Sequence, residues 1–287
     1  MIKVACGWKD YEIIATGDGQ KLERWGKLYL LRPDPQVIWH SSQALEKYPK
    51  INATYHRSST GGGGWEIKGS VPQNFNIERN DLKFSLKLMG FKHTGLFPEQ
   101  AVNWDIMQDL IKNANRPIKV LNLFAYTGGA TVACAKAGAH VTHVDAAKAM
   151  VERAKENVAL SNIDPTMCRY IVDDCSKFIA REIKRGNKYD AIIMDPPSYG
   201  RGANGEVWKL EDCIHDLVEN CRKVLSDNPL FFLINSYTTG LQPTVMENIL
   251  KISLKGFKGK TEAYEVGLPT DEGLVLPCGC SALWVNK

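Results

Sequence analysis

The chain has 287 residues, 44% of them hydrophobic, with 36 basic and 32 acidic side chains and a formal charge of +4. That is enough apolar material for one large core or two smaller ones, but too little net charge for a general polyanion-binding coat, so any nucleic-acid surface has to be a local patch. No apolar run reaches the length of a membrane span, and the start, MIKVACGWKDYE, lacks the apolar centre of a signal peptide, which points to the cytoplasm.

Up to residue 90 the pattern is one of short strands and turns. Residues 10–15 and 21–25 flank Gly17-Asp18-Gly19, a hairpin signal; 27–31 follows, and Arg32-Pro33-Asp34-Pro35 then breaks the pattern. Further strands are expected around 54–57, 65–68 and 82–88. This reads as a small β-rich domain, 1–90, without a catalytic constellation. Inside it, Arg57-Ser58-Ser59-Thr60 runs into four glycines, 61–64, and then Trp65. Two readings stand: a hairpin loop, or bare backbone that approaches phosphates while Arg57 and Trp65 contact RNA.

From 91 to 287 the alternation is regular α/β. A helix at about 99–114 precedes strands near 119–124, 140–145, 169–173, 189–194, 229–235, 262–267 and 281–285. Between them lie helices at 130–137, 148–161, 176–184, 210–225 and 243–254. The most informative stretch is 118–145, IKVLNLFAYTGGATVACAKAGAHVTHVD. A buried-type strand breaks into Ala125-Tyr126-Thr127-Gly128-Gly129, a helix follows, and a second strand ends in Asp145. A carboxylate at that distance past the glycines accepts the hydroxyls of a ribose. A dinucleotide site would ask for G-x-G-x-x-G, and here bulky residues stand where the first glycine belongs. A phosphate-free cofactor with an amino-acid tail, such as S-adenosylmethionine, suits the loop better.

A second motif, YDAIIMDPPSYGRG at 189–202, ends its strand in Asp195-Pro196-Pro197-Ser198-Tyr199. In open α/β sheets this end faces the same crevice as Gly128 and Asp145. The prolines stiffen the chain and leave carbonyls beside an acid and an aromatic ring, a clamp for a flat, amino-bearing acceptor.

With both motifs in view, the chain resembles class I S-adenosylmethionine-dependent methyltransferases. It is similar to the group that modifies cytosine C5 or guanine N7 in large-subunit ribosomal RNA. The stretches that carry the likeness are FKHTGLFPEQ (91–100), LNLFAYTGGA (121–130), HVDAAKAM (143–150), YIVDDCSKF (170–178) and DPPSYGRGANGEVW (195–208). The resemblance implies a Rossmann-like seven-stranded methyltransferase domain, its last strand antiparallel; the small β-rich domain before it reads as a platform for a large substrate such as RNA. It implies that Phe124, Ala125, Tyr126, Thr127 and Gly128 line the methionine part of the cofactor. Asp145 and Ala146 would stand at the ribose, and Asp174 and Cys175 at the adenine edge. Asp195 to Ser198 would face the methyl and its acceptor, with Tyr199 beside them. Thr94, Gly95, Phe97 and Gln100 match the family stretch that closes over the cofactor.

Other features read more plainly. His143 is expected as a buried core residue rather than a base. The loop 200–205 either folds over the acceptor, with Arg201 meeting a phosphate, or is an ordinary surface loop. Arg181, Lys184, Arg185 and Lys188 read as a solvated helix face. Eight cysteines scattered through core-like segments suit a reducing compartment, and Cys278-Gly279-Cys280 lacks the second pair a zinc site needs. Carbon-5 methylation of a pyrimidine needs a cysteine thiolate, yet the places where related enzymes carry it hold Ser198 and Asn235-Ser236-Tyr237. A base nitrogen of RNA, ribosomal RNA foremost, is therefore the favoured acceptor. Cytosine C5, a small-molecule or protein substrate, and a non-enzymatic RNA-binding role are the alternatives.

Overall fold

The computed structural model describes residues 1–58, 62–90, 92–201 and 207–287. These fall into two units: Met1–Lys3, Asn103–Val266 and Gly279–Lys287 form one, and Val4–Val102 with Gly267–Cys278 the other. The boundary expected at residue 90 therefore falls differently, because residues 91–102 and 267–278 join the β-rich unit.

In chain order, β1 (Ile2–Val4) is followed by β2 (Tyr11–Gly17), β3 (Gln20–Trp25), β4 (Leu28–Pro33), β5 (Ile51–Arg57) and β6 (Gly63–Ile67). Strands β2 to β6 make one sheet in that order, antiparallel except where β4 meets β5. The hairpin β2–β3 turns through Asp18 and Gly19 at φ 52° and 78°, the paired left-handed conformation that suits the twist of a two-residue hairpin. A second hairpin, β7 (Phe75–Arg79) with β8 (Leu82–Leu86), completes the described strands of this unit's first hundred residues; the sequence reading missed β7. The interior holds Trp25, Leu22, Leu30 and Leu31, and also an ion pair. Glu23 receives Nε of Arg32 at 2.5 Å, Nη2 of Arg32 at 2.7 Å and the Tyr11 hydroxyl at 2.7 Å. Burial raises the Glu23 carboxyl, but the Arg32 and Lys21 charges and these hydrogen bonds outweigh it and bring it down to about 2.

The α/β unit runs α1 (Ala101–Asn113), β9 (Lys119–Leu123), α2 (Gly129–Lys136), β10 (His140–Asp145), α3 (Lys148–Leu160), β11 (Cys168–Val172), α4 (Cys175–Arg185) and β12 (Ala191–Met194). Then follow a small hairpin β13 (Tyr199–Arg201) and β14 (Val207–Lys209), α5 (Leu210–Arg222), β15 (Phe231–Ser236), α6 (Pro243–Ser253), β16 (Gly259–Pro269) and β17 (Val275–Asn286). The sheet order is β1-β16-β17-β15-β12-β9-β10-β11. Strands β11, β10, β9, β12 and β15 are parallel, and β17 runs antiparallel to β15. The sheet thus has eight strands where seven were expected; the three-residue β1 is too short to show a period in sequence. Strands β12 and β15 are buried along their whole length, as expected of parallel strands covered on both faces. One core joins Leu121, Ile192 and Phe232 of the sheet to Phe178 of α4, Leu217 of α5 and Leu250 of α6.

Chain order reverses on either side of β9, which has β10 on one flank and β12 on the other. Leu123 pairs with both Val144 and Met194, Asp145 pairs with Val172, and Met194 pairs with Ile234. Hydrogen-bond register alone therefore brings Phe124, Asp145, Asp173, Asp195 and Asn235 out along one edge, at the switch point where open α/β sheets bind ligands. No helix among the described residues is long and apolar enough to cross a membrane.

Candidate functional site

The first wall of the crevice is the turn from β9 into α2. Phe124, Tyr126 and Gly128 all hold positive φ, at 53°, 50° and 83°. Two bulky aromatic residues in the left-handed region cost on the order of 1–3 kcal/mol each, and such strain persists only where neighbours over-determine it. They do so here. The Phe124 N–H donates to Cys175 Sγ at 3.3 Å, and the Ala125 N–H to the Val144 carbonyl at 3.1 Å. The Tyr126 N–H donates to Asp145 Oδ2 at 2.8 Å, the Gly128 N–H to the Ala125 carbonyl at 2.9 Å, and buried Asn157 Nδ2 to the Thr127 carbonyl at 2.9 Å. Glycine is required at 128 on two counts: its φ, and a Cβ that would lie 2.8 Å from the Ala154 Cβ.

Asp145 therefore does more than end a strand. Oδ2 holds Tyr126, Oδ1 accepts the Ala147 N–H at 2.8 Å, and the carboxylate is half-buried. Each oxygen keeps a further lone pair, so an acceptor-only group with fixed orientation is left for a diol, and it fits the two hydroxyls that a ribose would donate. Ala146 beside it is exposed. Next along the edge, the Asp173 N–H donates to the Asp145 carbonyl at 3.1 Å, and the Asp173 carboxylate pairs with Arg181. Asp174 is exposed and caps α4, accepting the Lys177 N–H at 2.8 Å. Cys175 is buried behind it, and burial pushes its thiol up to about 12.

The opposite wall is the turn after β12. The Asp195 N–H reaches the Leu123 carbonyl at 3.4 Å. Pro196 is buried, while Pro197, Ser198 and Tyr199 are exposed. The sequence reading put the carbonyls of both prolines toward the acceptor; the structure instead engages the Pro197 carbonyl with the Trp208 indole N–H at 2.6 Å. The Ser198 carbonyl accepts the Leu210 N–H at 3.1 Å, and the Ser198 and Thr238 hydroxyls share a hydrogen bond of 2.7 Å. Trp208 also meets the Phe124 ring at 5.8 Å between centroids. Thr238 and Asn157 are contributions that sequence reasoning missed; Trp208 was legible only as a residue following the loop 200–205, without its contacts.

Beneath the crevice, His143 is fully buried as expected, and burial lowers its imidazole to about 3. Its Nδ1 bonds to Thr131 Oγ1 at 2.9 Å, and Asn122 Nδ2 donates to that same oxygen at 3.0 Å. A second buried polar knot links Asn103 to Asn235, Ser281 and the Tyr264 hydroxyl at 2.7–3.0 Å.

The remaining candidates lie elsewhere. Thr94, Gly95, Phe97 and Gln100 belong to the β-rich unit. There Thr94 is buried with its hydroxyl unpartnered among the described residues, and Gly95 holds φ 105°. In the same unit Arg57 is exposed at the end of β5, whereas the Trp65 indole N–H is committed to the Met89 carbonyl at 2.7 Å. Gly63 could be nothing else, since a Cβ would lie 2.1 Å from the His56 carbonyl. Gly61, the Arg201 side chain and residues 202–206 lie outside the described residues. In the basic run, Arg181 and Arg185 are paired with Asp173 and Glu182, as a helix surface would have them.

A model of the S-adenosylmethionine-dependent methyltransferase family matches residues 36–220, well over half of the chain. Ribosomal RNA large subunit methyltransferase I of Tolumonas auensis is 35% identical over 136 residues, which is 46% of this chain and 33% of that protein. Ribosomal RNA large subunit methyltransferase K/L of Marinobacter nauticus is 31% identical over 201 residues, 68% of this chain and 27% of that protein. The chain thus spans a third or less of these curated relatives. Among solved structures, a SAM-dependent methyltransferase from Agrobacterium tumefaciens is 33% identical, covers 100% of this chain and 94% of its own, and superposes with a TM-score of 0.93.

Proposed function

The chain belongs to the S-adenosylmethionine-dependent methyltransferases, and we propose that within that family it methylates a base nitrogen of RNA, ribosomal RNA foremost, in the cytoplasm. The curated relatives named for ribosomal RNA support the substrate class. The acceptor atom is argued from the thiols. Ser198 and Asn235-Ser236-Tyr237 offer none, and Cys280, which pairs with Ser236 across β15 and β17, is buried, with its thiol raised to about 11. Cys278 belongs to the β-rich unit, and burial pushes its thiol well up too. A thiol held protonated is a poor nucleophile, whereas a nitrogen lone pair needs none. That is the observation that carries the reading.

The Phe124–Gly128 loop would hold the methionine end of the cofactor, Asp145 the ribose hydroxyls, and Asp174 with Cys175 the adenine edge. S-adenosylmethionine supplies an electrophilic methyl and its own leaving group. The protein's work is then positioning. Trp208 occupies the Pro197 carbonyl. The Pro196 carbonyl and the Asp195 carboxylate are the acceptors for the N–H of the incoming base. As the nitrogen takes the methyl, the Asp195 carboxylate takes the displaced proton and passes it to water, while the Pro196 carbonyl only orients the N–H. Nucleoside mass spectrometry of ribosomal RNA with and without the gene tests the reading, together with a trapping assay on 5-fluoropyrimidine RNA. A methylated base nitrogen and no covalent adduct are expected; a cysteine-dependent adduct would overturn the nitrogen assignment.

A further inference from the structure

Trp208 stands where the two walls of the crevice meet, yet it is neither part of the Asp-Pro-Pro turn nor part of the cofactor loop. Its half-buried indole does two things at once. The N–H holds the Pro197 carbonyl at 2.6 Å, and the ring lies 5.8 Å from the Phe124 ring at a 45° tilt. Its backbone pairs with Gly200 across β13 and β14, so β14 lies beside the strand that leaves the turn. Leu210, two residues on, holds the Ser198 carbonyl. Phe124 itself sits in a strained conformation at φ 53° and packs against the same core as the indole. The Phe124 ring and the Pro197 carbonyl thus meet on one side chain, which places the indole to pass a shift of the ring on to the carbonyl.

We propose that Trp208 is a positioning residue that couples the cofactor loop to the acceptor turn, through Phe124 on one side and the Pro197 carbonyl on the other. This rests on the reading of Asp195 to Ser198 as the acceptor-facing turn. With the cofactor loop in place, the indole keeps the Pro197 carbonyl out of the acceptor's reach and leaves the Asp195 and Pro196 oxygens to orient it. The N–H and the ring have separable roles: the first sets the rate of transfer, the second serves the cofactor loop.

The test separates them. Trp208→Phe keeps a ring beside Phe124 and removes the donor. With radiolabelled S-adenosylmethionine and total ribosomal RNA from cells lacking the gene, its kcat should fall about tenfold, while KM for RNA and the Kd for S-adenosylhomocysteine stay within about twofold. Trp208→Leu removes both contacts and should also weaken S-adenosylhomocysteine about fivefold. In the native protein carrying 5-fluorotryptophan at its seven tryptophans, the resonance missing from Trp208→Phe should shift when S-adenosylhomocysteine is added. A wild-type kcat in folded Trp208→Phe, parallel losses in kcat, affinity and melting temperature, or an unmoved fluorine resonance would overturn the coupling. Asp195→Asn tells the two levels apart. If it abolishes transfer while Trp208→Phe does not, only this inference fails; if it keeps full activity, the acceptor-turn reading fails as well.

Discussion

Replacing Asp145 tests the dual role of its carboxylate. Read from sequence, the side chain sits at a strand end and its loss should weaken cofactor binding while sparing the fold. The structure adds a cost, because the two oxygens hold the Tyr126 and Ala147 N–H groups at 2.8 Å each. Hydrogen bonds to a charged group contribute ~1.5–3 kcal/mol apiece. The site is half-buried and water replaces part of each bond, so Asp145→Ala should destabilise by about 3 kcal/mol, roughly 6–12 °C in Tm for a unit of this size. Loss of a charge-assisted bond to the ribose should weaken S-adenosylhomocysteine by about 10- to 150-fold. Asp145→Asn keeps one acceptor oxygen and places an NH2 against the other backbone donor, so it should recover about half of the stability and little of the affinity. Differential scanning fluorimetry and titration calorimetry read the two effects separately. Asp145→Ala with wild-type Tm would refute the argument that the carboxylate holds the strained loop, and wild-type affinity in that folded variant would remove Asp145 from the cofactor site.

Three further outcomes are expected. Gly128→Ala combines a left-handed φ with a Cβ 2.8 Å from that of Ala154, so it should cost about 2–4 kcal/mol and abolish cofactor binding by calorimetry. Glu23 is held to about 2 in the folded chain against an ordinary 4.5, so its stabilisation of about 3 kcal/mol is fully present above pH 4.5 and drains away as pH falls toward 2. Glu23→Gln should therefore be much less stable than the parent at pH 7, and urea titrations should show the gap closing on acidification; a pH-independent gap would refute the ion-pair account. Cys175 and Cys280 are buried with raised thiols while Cys6 is exposed, so native labelling with a thiol reagent at pH 8, read by peptide mass spectrometry, should find Cys6 well ahead of both.

Much of the architecture was legible because it is written in local chemistry. Val120 to Leu123 and Ile192 to Met194 are apolar runs of strand length, Asp18-Gly19 can take paired positive φ, and Ala130 to Ala135 favour a helix, so strands, hairpin and helices follow from short windows. The edge holding Phe124, Asp145 and Asp195 was also readable, since the carboxyl ends of parallel strands meet at one switch point whatever the register. Tertiary structure decided what depends on residues far apart in the chain. Glu23 looks like a solvent-facing strand residue until Arg32 and Tyr11 close over it from neighbouring strands. Residues 267–278 read as the turn of a final hairpin, yet hydrogen bonds such as Thr16 N–H to Glu272 at 2.8 Å and Asp271 N–H to the Ile13 carbonyl at 2.9 Å tie that turn into the β-rich unit. Three residues are too few for β1 to declare itself beside β16. Whether a proline carbonyl is open or engaged depends on an indole eleven positions later. Periodicity and turn chemistry report on a chain's own neighbourhood; pairings across long loops answer to packing, and only the folded molecule holds both partners at once.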